Sequence, residues 1–198
     1  MSWPKTSTLK GDYVHLEPLS QKHHDDLVEA CKDGDAWKLW YTLVPGPEGM
    51  KKTIDLRLAL AERGTMRPFA VIENGSRKAV GMTTYLNIDA DNQHLEIGAT
   101  WYAKRVQRTA VNTEAKLLLM THAFESQKAI AVEFRTHFFN QQSRRAIERL
   151  GARLDGILRN HQIAPNGTLR DTCVYSIINS EWPTVKAHLE WQLKKVRD

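Results

Sequence analysis

Apolar and polar residues alternate along residues 13–18, a period of two that predicts a first strand. The period then lengthens. A helix capped by Ser20 and running to about Lys32 would place Leu27, Ala30 and Cys31 on its buried face. Val44-Pro45-Gly46-Pro47 breaks the chain, and a second helix is expected over residues 48–63. Residues 69–73 and 78–86 read as two strands joined at Asn74-Gly75, a dipeptide suited to a tight hairpin. The strand predicted at residues 94–102 puts Leu95, Ile97, Ala99 and Trp101 on one face. His94, Glu96, Gly98, Thr100 and Tyr102 fall on the other. A helix over about 112–127 carries Leu117, Leu118, Leu119, Met120 and Phe124 around most of its circumference, so it must be covered on several sides.

Alternation returns at residues 130–137. Asn140 then caps a short helix with Ala146, Ile147 and Leu150 as its apolar stripe, stopped by Gly151. Strands at 152–163 and 170–178 flank the Pro165-Asn166-Gly167 turn. An amphipathic helix over about 180–197 follows, with Val185, Leu189 and Val196 inward. The order is strand, two helices, three strands, helix, strand, helix, two strands, helix. It predicts a mixed α/β (α+β) fold in one domain spanning 1–198, since no linker, repeat or low-complexity tract divides the chain.

Composition narrows the function classes. The 198 residues are 41% hydrophobic and 26% charged, as in an ordinary globular protein, and no apolar run approaches the length of a membrane span. A cytoplasmic location is the expectation, and Cys31 and Cys173 read as buried thiols without metal-like spacing. The formal charge of +5 favours an anionic partner.

One junction could hold such an anion. Lys104-Arg105-Val106-Gln107-Arg108-Thr109-Ala110-Val111 connects a strand to the apolar helix, where free N–H groups and the positive helix end would face a diphosphate. A solvated basic loop is the bland reading of the same residues. With no glycine, the loop is neither a Walker loop nor a dinucleotide fingerprint.

Three motifs in order resolve that choice. Glu96-Ile97-Gly98, Thr113-Glu114-Ala115 with its apolar run to Phe124, and Asn140-Gln141-Gln142-Ser143 through Leu150-Gly151-Ala152 resemble the GNAT superfamily of acetyl-CoA-dependent N-acetyltransferases. The likeness is to the branch near the Rim-type ribosomal-protein N-terminal acetyltransferases, and it covers nearly the whole chain. It implies a central, mostly antiparallel, splayed sheet flanked by helices. It also implies acetyl-CoA as co-substrate, a primary amine as acceptor and no metal. Trp101, Tyr102, Val106, Gln107, Arg108, Thr109, Ala110, Val111, Asn112, Asn140 and Arg145 become the expected cofactor-binding residues. The family's loop usually carries glycine where this chain has Ala110 and Asn112, and Asn112 is a candidate helix cap.

Two catalytic candidates follow. Glu96 would take the proton of the amine; paired with Arg135 it would be purely structural. Ser143 would protonate the departing thiolate, or else bond its own helix end. Trp37, Trp40 and Tyr41 lie where the family borders its acceptor site, although core or rim positions are the commoner use of such rings. The rival class is a non-catalytic CoA-binding or RNA-binding module; strands with few aromatics disfavour nucleic acid. The acceptor's identity and a homodimer are left open.

Overall fold

The computed structural model describes residues 3–42 and 44–195. Eight strands form one sheet: β1 (Leu9–Lys10), β2 (Val14–Pro18), β3 (Arg67–Glu73), β4 (Ala79–Asp89), β5 (His94–Tyr102), β6 (Ala131–His137), β7 (Arg153–Ile163) and β8 (Leu169–Ile178). Their order is β1-β2-β3-β4-β5-β6-β8-β7. Every pairing is antiparallel except β5 with β6, which run parallel. The helices are α1 (His24–Lys32), α2 (Met50–Glu62), α3 (Ala110–Thr121), α4 (Gln141–Glu148) and α5 (Trp182–Lys194).

Consecutive strand residues point to opposite faces, and Thr83 and Thr84 of β4 show which helices lie where. Thr83 meets Lys116 of α3, while Thr84 meets Arg57 of α2. The α3 face buries Tyr85, whose hydroxyl donates to the Leu119 carbonyl at 2.7 Å. Leu16, Phe69, Val71, Leu95, Ile97, Leu119 and Phe134 are among the core residues. Leu27, Ala30, Cys31, Cys173, Val185 and Leu189 are buried as their periodicity required.

The predicted element order holds, with β1 as an added two-residue strand paired to β2. α3 starts at Ala110 rather than Asn112, because Thr109 is the cap: its Oγ1 accepts from the Val111 N–H at 3.3 Å. Asn112 therefore lies in the first helical turn and does not cap. The last turn of that helix widens into a π segment over His122–Ser126. The final helix covers Trp182–Lys194 rather than 180–197, and Val196 lies outside the described residues.

The feature that matters most for function is a fork. β5 and β6 pair through three residue couples, His94↔Ala131, Leu95↔Val132 and Glu96↔Glu133. Beyond them the strands diverge, so among the described residues the facing edges of residues 97–102 and 134–137 have no strand partner.

Candidate active site

A bulge shapes one prong of the fork. Met82 pairs with Trp101 and Thr84 with Gly98, so Thr83 alone opposes both Ala99 and Thr100. Ala99 takes up the extra residue with φ +47°, a left-handed conformation that a Cβ disfavours. The bulge also reverses the alternation of side chains. Glu96 lies on the face of Glu133 and Arg135, whereas the Thr100 hydroxyl turns to Lys116 on the α3 face. A polar cleft shared by Glu96 and Thr100, as straight alternation predicts, therefore does not form.

Glu96 sits at the crotch of the fork, 5% exposed. Its Oε2 accepts from Asn87 Nδ2 at 2.7 Å and lies 3.7 Å from Arg135 Nε. Arg135 is held mainly by Glu133 at 2.8 Å, and Glu133 also meets His94 Nε2 at 3.0 Å. Burial pushes the Glu96 carboxyl up to about 7, with Arg135 and the Asn87 amide pulling the other way. Both readings of Glu96 are visible here, since it neighbours Arg135 and yet is poised to exchange a proton near neutral pH. A Cβ at Gly98 would lie 2.5 Å from Glu96 Oε1 and 2.9 Å from Leu86 Cδ1, so a larger residue there would displace the carboxylate.

Past the bulge, Trp101 Nε1 and Tyr102 Oη are buried without a hydrogen-bond partner among the described residues. Burial alone lifts the Tyr102 phenol far above its ordinary range. As consecutive residues they face opposite sides of the sheet, so these are two separate unsatisfied atoms, one on each face.

The loop that follows is tied down. Arg105 Nη1 donates to Glu73 at 2.8 Å and its backbone N–H to Asp33, so this cation is already paired. Gln107 Nε2 donates to the Tyr102 carbonyl at 3.1 Å, and Thr109 Oγ1 to the Val106 carbonyl at 2.7 Å. The left-handed residue of the loop is Arg108, φ +62°. Ala110 and Asn112, where the family usually has glycine, are ordinary helical residues, so neither needs glycine's freedom. Arg105, Val106, Arg108, Thr109, Ala110 and Val111 form one wall of an open cleft of about 760 Å³, with Asp12, Glu73 and Asn74 opposite. No residue of β6 or α4 lines it.

On the second prong, Asn140 caps α4 through Oδ1, which accepts from the Ser143 N–H at 3.0 Å. The Ser143 hydroxyl makes no hydrogen bond among the described residues, so it does not bond its own helix end. Arg144 is engaged with the Tyr175 hydroxyl at 2.9 Å and stacks on Phe138, while Arg145 is exposed. At the end of β6, His137 is ringed by Trp40, Tyr41 and Phe139, with centroids 5.1, 6.2 and 5.8 Å away. Its Nδ1 accepts from the Phe139 N–H at 3.1 Å and its Nε2 is buried without a partner among the described residues.

Sequence reasoning overlooked three buried cations, Arg57, Arg67 and Lys116, and two of them meet the bulge. Lys116 of α3 is 6% exposed and Arg57 of α2 is 7% exposed. Desolvation lowers their pKa values to about 7 and about 10 respectively. Each of these two looked like one more solvent-facing charge on an amphipathic helix, and nothing local distinguishes it. Among the described residues no cluster of side chains could hold a metal ion.

Comparison with known proteins agrees with this architecture. A structure of a GCN5-related N-acetyltransferase from Brucella melitensis superposes with a TM-score of 0.87 at 33% identity, covering 96% of this chain and 86% of that one. Mycobacterium smegmatis RimJ in complex with CoA-disulfide shares the fold, with a TM-score of 0.77 at 20% identity and 96% of each chain covered. YdaF of Bacillus subtilis (strain 168), named as a candidate ribosomal N-acetyltransferase, is 33% identical over 102 residues. That match spans 52% of this chain and about half the length of YdaF, 55%. The profile of the acetyltransferase (GNAT) domain matches residues 14–153, and the chain accordingly belongs to the GNAT family of acyltransferases.

Proposed function

We propose that this protein moves the acetyl group of acetyl-CoA to a primary amine by direct attack within a ternary complex. The observation that carries the reading is Glu96. A buried carboxyl with its pKa near neutrality stands at the point where two strands part and their backbone edges come free.

The residues present fit the co-substrate. A pantetheine arm is a chain of amides and can pair with the open edge of residues 97–102 much as an added strand would. In this reading the start of α3 and Arg108 would take the diphosphate. The CoA complex of the RimJ structure, which shares this fold, supports the same class of ligand.

Chemistry then follows from charge. The amine nitrogen must be neutral to attack the thioester carbonyl; a C–N bond forms and the C–S bond breaks. Glu96, ionised in part at pH 7, takes the proton from nitrogen directly or through water. The thiolate leaves with the bonding pair, and Ser143, whose hydroxyl is uncommitted, gives it a proton. Backbone N–H groups near Trp101 and Tyr102 would polarise the carbonyl oxygen, a contribution of about 3 kcal/mol. The rings around His137 border the acceptor side. YdaF is named as a candidate ribosomal N-acetyltransferase, and that likeness favours a protein amine as acceptor over a polyamine.

The test has two parts. Calorimetry with CoA and acetyl-CoA measures binding, and a thiol-release assay measures transfer across amines and short peptides with free N-termini. Binding with turnover on at least one acceptor, lost in Glu96→Gln at pH 7, is expected. Binding with no turnover on any acceptor would instead favour a non-catalytic coenzyme-binding protein.

A further inference from the structure

We propose that Arg57 and Lys116 are positioning residues that clamp the bulge of β5 from the two faces of the sheet and so set the direction of the strand edge beyond it. On the α3 face, Lys116 Nζ donates to Thr100 Oγ1 at 2.8 Å and to Thr83 Oγ1 at 3.3 Å. The two threonine hydroxyls are themselves 2.8 Å apart. On the α2 face, Arg57 Nη1 donates to Thr84 Oγ1 at 2.8 Å, and Nη2 lies 3.5 Å from the Ala99 carbonyl. The bulged residues Ala99 and Thr100 and the pair Thr83-Thr84 opposite them are thus gripped by two cations arriving from different helices.

Both cations are buried, and among the described residues neither forms an ion pair. A buried amine or guanidinium is costly unless its donors are satisfied; Glu96 acts on Lys116 only through space, and the groups that accept from the two side chains are the hydroxyls and carbonyl of the bulge. Lys116 Nζ also lies 6.0 Å from the Phe134 ring on β6, so the same ammonium spans the two prongs where they separate.

Such bracing is needed because the left-handed position carries alanine. Glycine would adopt φ +47° unaided, whereas Ala99 must be held there by its surroundings. If the strand relaxed to straight pairing, Trp101 and Tyr102 would exchange faces and the edge facing the gap would present different groups. The functional consequence rests on the acetyl-transfer reading, since the clamped edge is the proposed seat of the pantetheine arm and thioester.

Five variants test the clamp: Lys116→Met, Lys116→Arg, Arg57→Met, Thr100→Val and Ala99→Gly. Hydrogen exchange of the ligand-free protein is read at residues 98–102, together with melting temperature and kcat/KM for acetyl-CoA. Lys116→Met and Thr100→Val are expected to speed exchange at those amides at least tenfold and to lower kcat/KM about tenfold. Adding Ala99→Gly to either should recover most of both losses, and Lys116→Arg should behave nearly as wild type. A purely structural cation would lower the melting temperature with no rescue by Ala99→Gly, and that result overturns the proposal. Unchanged exchange at residues 98–102 in Thr100→Val, which removes a hydroxyl at nearly constant volume, also overturns it even if the charge variants do not fold. Failure of the wild type to bind CoA would refute the transfer reading alone, because the exchange measurement decides the clamp without any ligand.

Discussion

Replacing Glu96 by glutamine is expected to make the folded protein more stable as well as less active. In the fold the carboxyl titrates at about 7 against an ordinary 4.5, chiefly because burial disfavours the anion. Between those values the unfolded chain has released a proton that the folded chain still holds. The folded state is therefore penalised progressively as pH rises from about 4.5 to about 7, and the penalty levels off above that. At about 1.4 kcal/mol per pH unit, the full penalty is roughly 3 kcal/mol. About 2.5 kcal/mol of it accumulates between pH 5 and pH 8. Glutamine cannot ionise, and its carbonyl oxygen can still accept the Asn87 amide that now bonds Oε2. The stability advantage of Glu96→Gln over wild type should thus grow by about 2.5 kcal/mol between pH 5 and pH 8. Urea unfolding of both proteins at the two pH values and constant ionic strength measures this. An advantage that is the same at both pH values would refute the reasoning, because it would mean the carboxylate is not desolvated in the fold. Activity falling while stability rises is the pattern of a group kept for chemistry at a structural cost.

Three further outcomes follow from the geometry. Glu114 accepts the backbone N–H groups of Asp12, Tyr13 and Val14 at 2.9, 2.7 and 2.7 Å, so Glu114→Ala strands three donors and should cost about 3 kcal/mol or more in urea unfolding. Gly81→Ala would place a Cβ 2.1 Å from the Trp101 carbonyl oxygen and 2.9 Å from Tyr102 Cα; a loss of about 2 kcal/mol with weakened CoA binding by calorimetry is expected. Ser143→Ala should lower turnover about 100-fold while acetyl-CoA affinity stays within about twofold, and wild-type kinetics would remove the serine from the mechanism.

Much of the architecture was legible because it is locally encoded. Period-two and period-3.6 stretches placed every major element, and the bounds of β5 were read to the residue. Asn140 as a cap and Glu96 as a candidate base or partner of Arg135 were visible too, whereas the burial of Glu96 was not. What escaped depends on partners distant in sequence. Ala99 gives no local sign of a left-handed backbone, so the alternation was carried straight through the bulge and Thr100 was assigned to the wrong face. Lys116 and Arg57 resemble solvent-facing helix charges until the sheet they point at is known. The start of α3 was misplaced for a simpler reason: Thr109 and Asn112 are both competent caps, and the hydrogen bonds of the preceding loop decide between them.

The three-couple ladder between β5 and β6 has a mechanical corollary. It is the one seam at which β1–β5 and β6–β8 are stitched edge to edge, and α3 with its connections is the covalent strap across it. Whatever molecule occupies the gap becomes a rivet between the two sections and restores the hydrogen-bonded continuity that the diverging strands forgo. Those amide protons of residues 134–137 that face the gap rather than β8 are therefore expected to act as an occupancy gauge, slowing in exchange as the gap fills, whichever amine the protein acts upon.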